Sequence, residues 1–139
     1  MIGPRPNSNE PFQFRLDLRS GVPVYRQIID QVLVAIASGA LKSGDQLPTV
    51  RQVAVDLSIN PNTVMRAYRE LEIRGVLTTQ QGTGTFIAPA EVKPDEVERQ
   101  RRLSHLVGEF VAQVSGEGYS LQEVIERLSE LIPEQHKRR

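Results

Sequence analysis

Apolar positions in the first third of this chain change their spacing once, and the change separates two kinds of local structure. Phe12, Phe14, Leu16 and Leu18 alternate with Gln13, Arg15 and Asp17. That period of two predicts a short half-buried strand, which Ser20-Gly21 ends. From Pro23 the period becomes helical. Val24, Ile28, Ile29, Val32, Leu33 and Ile36 share one face, and Gly39 stands where a helix C-terminus favours glycine. The segment KSGDQLP then reads as a turn ending at Pro48.

Start signals for two more helices follow at close range. Thr49 with Gln52 forms a capping box, so a helix is expected from about 50 to 57, with Val50, Val53, Ala54 and Leu57 as its apolar positions. Only Ser58 and Ile59 separate it from Asn60, a good N-cap, and Pro61, which suits the first helical position. The third helix should run to about Arg74, with Val64, Ala67, Tyr68, Leu71 and Ile73 apolar and Gly75 at its end. Tyr68, in mid-helix among these residues, reads as core. Val76–Thr79 and Thr85–Ala88 flank the Gly-rich stretch 80–84, which predicts a hairpin.

Beyond Pro89 the pattern starts afresh. Leu103, Leu106, Val107, Phe110, Val111 and Val114 recur at helical spacing until Gly116-Glu117-Gly118. A capping box at Ser120 and Glu123 then opens a last amphipathic helix carrying Leu121, Val124, Ile125, Leu128, Leu131 and Ile132. The organisation is thus a flexible leader at 1–11, a folded domain at 12–88, a linker at 89–95 and a helical tail at 96–139.

Composition narrows the class by exclusion. The 139 residues are 39% hydrophobic and 24% charged, which is globular, and no apolar run or N-terminal stretch suggests a membrane span or a signal peptide. Cysteine is absent, which removes disulfides and thiolate metal sites and, by default, points to the cytoplasm. His105 and His136 have no second ligand at metal-binding spacing, so no metal and no cofactor is expected. No nucleophile, base or carboxylate pair stands in a catalytic frame, and an enzyme is the least favoured class. Lys plus Arg and Asp plus Glu each total 17. Residues 1–90 hold nine basic against seven acidic side chains, a bias too small to mark a nucleic-acid binder. If DNA is the partner, a few well-placed arginines must do what overall charge does not.

The order of elements supplies that placement. Two helices joined by so short a turn, followed at once by a hairpin, form a winged helix-turn-helix. The third helix can enter the major groove N-terminus first. Asn62 and Thr63 lie in its first turn and Arg66 one turn on. Asparagine pairs bidentately with adenine and arginine with guanine, each discriminating by about 1–3 kcal/mol. Arg69 is in reach of a phosphate or of Glu70 and Glu72 on a solvated face. Thr49 and Arg51 sit where the second helix meets the backbone. In the wing, Gly82 and Gly84 permit a tight turn, and Thr83 offers a hydroxyl and an N–H to phosphate.

From Pro23 to Ala88 the chain resembles the GntR family of bacterial regulators. The matching segments are PVYRQI at 23–28, SGALKSGDQLPTVRQVA at 38–54, NPNTVMRAYRELEIRGVL at 60–77 and GTGTF at 82–86. The NPNTV…RAY version and the short two-helix tail look like the YtrA subfamily. The resemblance implies a homodimer that binds a palindromic operator, usually as a repressor. It implies DNA contacts at Arg51, Asn60, Asn62, Thr63 and the wing glycines. Many members carry arginine where this chain has Pro61 and Met65, so contacts of those arginines do not carry over. Arg66 is one position later than the second, about 100° around the helix, and its assignment rests on geometry.

The predicted fold class is therefore mostly α with a small β-hairpin, a winged helix-turn-helix domain followed by a two-helix C-terminal dimerisation tail. Two amphipathic helices cannot bury their stripes alone. Either they fold back on the winged helix domain or they pair with the same helices of a second copy of the chain. The second copy is the stronger expectation, with Leu106, Phe110, Val111, Val114, Leu121, Val124, Ile125 and Leu128 at the interface. A small-molecule effector of unknown identity is compatible with so short a tail. The alternative function is a winged helix module that binds protein through these stripes.

Overall fold

The computed structural model describes residues 12–90 and 95–132. The leader, most of the linker and the basic C-terminal end lie outside the described residues. The chain divides into two compact units, one reaching Pro89 and the other spanning Ala90–Ile132.

In the first unit α1 (Val24–Ser38), α2 (Val50–Leu57) and α3 (Pro61–Ile73) pack around one core, with β1 (Gln46–Leu47), β2 (Leu77–Gln80) and β3 (Gly84–Ile87) beside them. The helices begin where their caps predict. Thr49 Oγ1 accepts the Gln52 N–H at 3.0 Å, and Asn60 Oδ1 accepts the Asn62 N–H at 2.8 Å. Each satisfies one of the donors that a helix start leaves open, worth about 1 kcal/mol. Between these two helices Ser58 takes a left-handed φ of 56°, and its neighbour Ile59 returns an N–H to the Ala54 carbonyl at 3.0 Å. That closes α2 and turns the chain into α3 within two residues. Ile28, Ile29 and Val32 of α1 and Val64, Ala67 and Leu71 of α3 are buried to 2% or less, so the α1–α3 contact forms the centre of the core.

The sheet is three-stranded rather than a lone hairpin. Its order is β1-β3-β2, all antiparallel, with Gln46 opposite Phe86 and Leu47 opposite Thr85. The expected turn at 42–48 therefore contains a strand. The residues just before it are fastened to β3 as well, since Gly44 N–H donates to the Ile87 carbonyl at 2.9 Å and Ile87 N–H to the Asp45 carbonyl at 2.8 Å.

The strand expected over residues 12–18 does not form. Phe12 and Phe14 are buried and meet edge to face with centroids 4.8 Å apart, as the alternation requires, but Leu18 is 82% exposed. The backbone of this segment finds its partners on two side chains of α1 instead of on a neighbouring strand. Gln31 accepts the Arg15 N–H and donates to the Arg15 carbonyl; Gln27 does both for Asp17, at 2.8 and 2.9 Å. Gln27 also donates to the Val22 carbonyl at 2.9 Å. It is the one buried polar residue among those described, and every polar atom it buries is paired. Ile73, expected on the apolar face of α3, is 77% exposed, because the core face of α3 ends at Leu71.

The second unit contains α4 (Glu96–Gly116) and α5 (Leu121–Ser129). Asp95 caps α4 by accepting the Glu98 N–H at 3.1 Å. Ser120 and Glu123 form the capping box that the sequence predicts: the Ser120 N–H donates to Glu123 at 2.8 Å and Glu123 N–H to the Ser120 hydroxyl at 3.1 Å. The backbone bond from Ser120, and then its hydroxyl, holds the exposed Glu123 carboxyl below the ordinary range. Arg99 and Arg101 pair with Glu96 and Glu98, one turn away on the same solvated face.

Candidate nucleic-acid interface

The sequence of α3 gives that helix two faces. Val64, Ala67, Tyr68 and Leu71 follow the 3, 4, 7 spacing and are buried. On the other side Asn62, Met65, Arg66, Arg69, Glu70 and Ile73 line one shallow surface groove along the helix. A second hollow lies where the start of α1 meets the start of α3. It is lined by Val24, Tyr25, Asn60, Asn62, Thr63 and Arg66. The predicted Asn60, Asn62, Thr63 and Arg66 are thus neighbours, and Arg69 extends the same face by one turn. Thr49 and Arg51, at the start of α2, and the wing residues Gly82, Thr83 and Gly84 lie outside both hollows.

Two predicted residues have part of their hydrogen-bonding capacity committed inside the protein. Asn60 uses its side-chain oxygen as the α3 cap, which leaves its amide NH2 for a partner. Thr83 donates its N–H to the Gln80 carbonyl at 2.9 Å, across the wing turn. That N–H, expected at a phosphate, is consumed by the turn, and the hydroxyl of the exposed Thr83 remains. Gly82 at φ 78° and Gly84 at φ 142° hold the turn in backbone conformations that side-chain-bearing residues rarely adopt. Gln46 of β1 steadies the tip from outside by donating its amide to the Thr83 carbonyl at 3.1 Å.

The outward face of α3 carries Arg66 and Arg69 beside one acidic residue, Glu70. Among the described residues Arg51, Arg66 and Arg69 form no ion pair, while Glu70, the acidic neighbour of Arg66 one turn on, is held by Arg74 at 3.3 Å. Arg66 lies over the Tyr25 ring of α1, its guanidinium carbon 3.7 Å from the centroid. A near-zero net charge is therefore compatible with arginines at this surface that pair with no carboxylate among the described residues. Tyr68 supplies the rigidity beneath it. It is buried on α3 and its hydroxyl donates to the Pro48 carbonyl at 2.7 Å. Burial pushes the phenol well above its ordinary pKa, so it remains a donor.

Tyr25 lines the hollow at the start of α3 and Gln46 holds the wing tip, and neither is among the candidate residues that the sequence supplies. Each carries one signal, its place in a family-like segment, PVYRQI for Tyr25 and SGALKSGDQLPTVRQVA for Gln46; the contact Gln46 makes, 37 residues away, has no local mark.

Of the tail residues expected at an interface, Leu106, Phe110, Leu121, Ile125 and Leu128 are exposed, and Val111 and Val114 half-buried. Val124 differs, being buried within the protomer already. Among the described residues no group of His, Asp or Glu side chains could hold a metal ion, and no helix is long and apolar enough to cross a membrane.

Comparison with known proteins agrees with this arrangement. The sequence pattern of the bacterial regulatory proteins of the gntR family matches residues 24–87, from the first residue of α1 to the last of β3. The chain is 38% identical over 108 residues to the uncharacterized HTH-type transcriptional regulator YhcF of Bacillus subtilis (strain 168), covering 78% of this chain and 88% of that protein. It is 46% identical over 74 residues to the HTH-type transcriptional repressor YtrA of the same strain, and there it spans 53% of its own length and 57% of the repressor's. A solved structure of YtrA from Sulfolobus acidocaldarius, a GntR-family transcription factor, superposes with a TM-score of 0.53 at 33% identity, over 71% of this chain and 97% of the other.

Proposed function

Because this chain belongs to the GntR family of bacterial regulatory proteins and is a DNA-binding transcriptional regulator of its YtrA-like branch, we propose that it acts as a homodimeric repressor, each protomer setting α3 into the major groove over one half of a palindromic operator. The observation that carries this reading is the division of α3 into a buried apolar face and an outward face bearing Asn62, Arg66 and Arg69.

In this reading Asn62 and Arg66 face base edges, with the first turn of α3 and Thr63 directed at the groove. Thr49 and Arg51, at the exposed start of α2, and Arg69 meet phosphates, as do Asn60 through its free amide and the wing through Gly82, Thr83 and Gly84. The exposed stripe of α4 and α5 joins two protomers, so that the recognition helices meet half-sites about 34–36 Å apart, or a multiple of that. The repressor role rests on the likeness to YtrA of Bacillus subtilis. A small-molecule effector of unidentified chemistry acting on the tail, and a cytoplasmic setting beside the chromosome, complete the proposal.

A gel shift on the duplex upstream of the protein's own gene, against a random duplex at two salt concentrations, tests it. Specific binding that weakens as salt rises is expected, because each phosphate contact releases counterions. Arg51→Ala should reduce the salt slope by about 1, and Arg66→Ala should relax preference at one base pair in each half-site. Folded dimer that binds no duplex at low salt would overturn the reading.

A further inference from the structure

The groove-facing Arg66 is held by a residue of another helix. We propose that Tyr25 is a positioning residue for sequence recognition: its ring fixes the plane of the Arg66 guanidinium and so sets which base edge Arg66 reads. This rests on the assignment of Arg66 to a base contact made above.

Three observations lead here. The Arg66 guanidinium carbon lies over the Tyr25 ring, 3.7 Å from its centroid and within the range of a cation–π contact. Its acidic neighbour one turn on, Glu70, is occupied by Arg74 at 3.3 Å, so no ion pair among the described residues competes for the guanidinium. And Tyr25 and Arg66 line the same hollow as Asn60, Asn62 and Thr63, the first turn of the recognition helix. Tyr25 itself is half-buried and packed against the core, so its ring is a fixed platform and not a second mobile side chain.

The geometry suits recognition because stacking and hydrogen bonding use different parts of a guanidinium. The ring takes the flat face; the N–H donors lie in the plane and point outward from its edge. A bidentate contact with guanine O6 and N7 needs two of those donors in one orientation. An arginine free in solvent must lose its rotamer freedom at the moment of binding, whereas one already stacked has given up much of it beforehand. Tyr25 would therefore act on specific binding and leave phosphate-driven, sequence-independent binding untouched.

Fluorescence anisotropy with two duplexes tests this, one selected by the wild-type protein from a random pool and one of scrambled sequence. The full-length variants are Tyr25→Leu, Tyr25→Phe, Arg66→Ala and the double variant Tyr25→Leu/Arg66→Ala, each checked by thermal melting. Tyr25→Leu should weaken binding to the selected duplex by about two- to fivefold, the size of an exposed cation–π contact, and leave the scrambled duplex unaffected. Tyr25→Phe, which keeps the ring face, should restore the loss. In the Arg66→Ala background Tyr25→Leu should cost nothing further. An equal loss on both duplexes or in both backgrounds would overturn the positioning role, as would tighter binding by Tyr25→Leu, while Arg66 stays a base reader. Wild-type binding by Arg66→Ala would overturn the base contact and the positioning role together.

Discussion

The Tyr68 hydroxyl donates to the Pro48 carbonyl at 2.7 Å, joining the buried face of α3 to the residue just before the α2 cap. One hydrogen bond thus links the two elements that carry Arg66 and Arg51. Tyr68→Phe keeps the packing and removes the bond, which should cost about 1 kcal/mol and lower the melting temperature by about 4–8 °C for a domain of this size. The same residue predicts the alkaline limit of the fold. Burial raises the Tyr68 pKa above that of the unfolded chain. Its contribution to stability is complete below the ordinary tyrosine value of about 10, and it is lost as pH rises from there through the folded value. Denaturant midpoints measured from pH 8 to 11 should fall above about pH 10 in the wild type, and fall less steeply in Tyr68→Phe.

Gln27 and Gln31 hold residues 15 and 17 as a neighbouring strand would. Gln27→Leu keeps much of the volume and takes away the partners of the Asp17 and Val22 backbone groups. A loss of about 1 kcal/mol is expected, since three part-buried hydrogen bonds go and the freed backbone groups at these exposed residues can turn to water. The loss should be local in its signature. Amide exchange at Asp17 should accelerate far more than exchange in α3, followed by hydrogen–deuterium exchange with mass spectrometry.

These two relationships explain what the sequence disclosed and what it withheld. Helix starts at Thr49, Asn60 and Ser120 are local events, with cap and capped N–H two or three residues apart, and the pattern of side chains states them directly. The same holds for the outward face of α3, which follows from the spacing of Val64, Ala67, Tyr68 and Leu71. The strand β1 is two residues long and exists through pairing with β3, some 40 residues on, so nothing nearby marks it. Residues 12–18 have a strand's alternation, but period two reports which side chains are buried and not which groups accept the backbone bonds. Tyr25 under Arg66 is a product of how α1 packs on α3, which no spacing along either helix encodes.

Gly84 stands at φ 142°, and a Cβ placed on it would press on the Gln46 side chain that clasps the wing. The side chain can swing away, but then the bond to the Thr83 carbonyl is lost and the backbone strain remains. Gly84→Ala should destabilise the protein by about 1–3 kcal/mol. Gln46→Ala removes the clasp without the strain and should cost about 1 kcal/mol or less. Both should weaken operator binding through a looser wing tip, measured by anisotropy beside urea denaturation. If Gln46→Ala binds as the wild type does, the clasp serves stability alone.

Leu106, Phe110, Leu121, Ile125 and Leu128 leave apolar surface open on α4 and α5, with Phe110 43% and Ile125 51% exposed. Val124, by contrast, is buried and helps α5 hold to its own protomer. The two kinds of position should respond differently to a charge. Phe110→Asp and Ile125→Asp place a carboxylate at a surface exposed in the protomer, so the first unit should keep its melting transition. At a dimer interface the same carboxylate is buried without a partner, at a cost of several kcal/mol. A loss of about 3 kcal/mol raises a dimer dissociation constant more than a hundredfold. Sedimentation velocity at micromolar concentration should then show monomer for these variants and dimer for the wild type. Operator affinity should drop with it, because two linked half-site contacts become independent. Dimer that survives both substitutions would mean that the open stripe of the tail is not where the protomers meet.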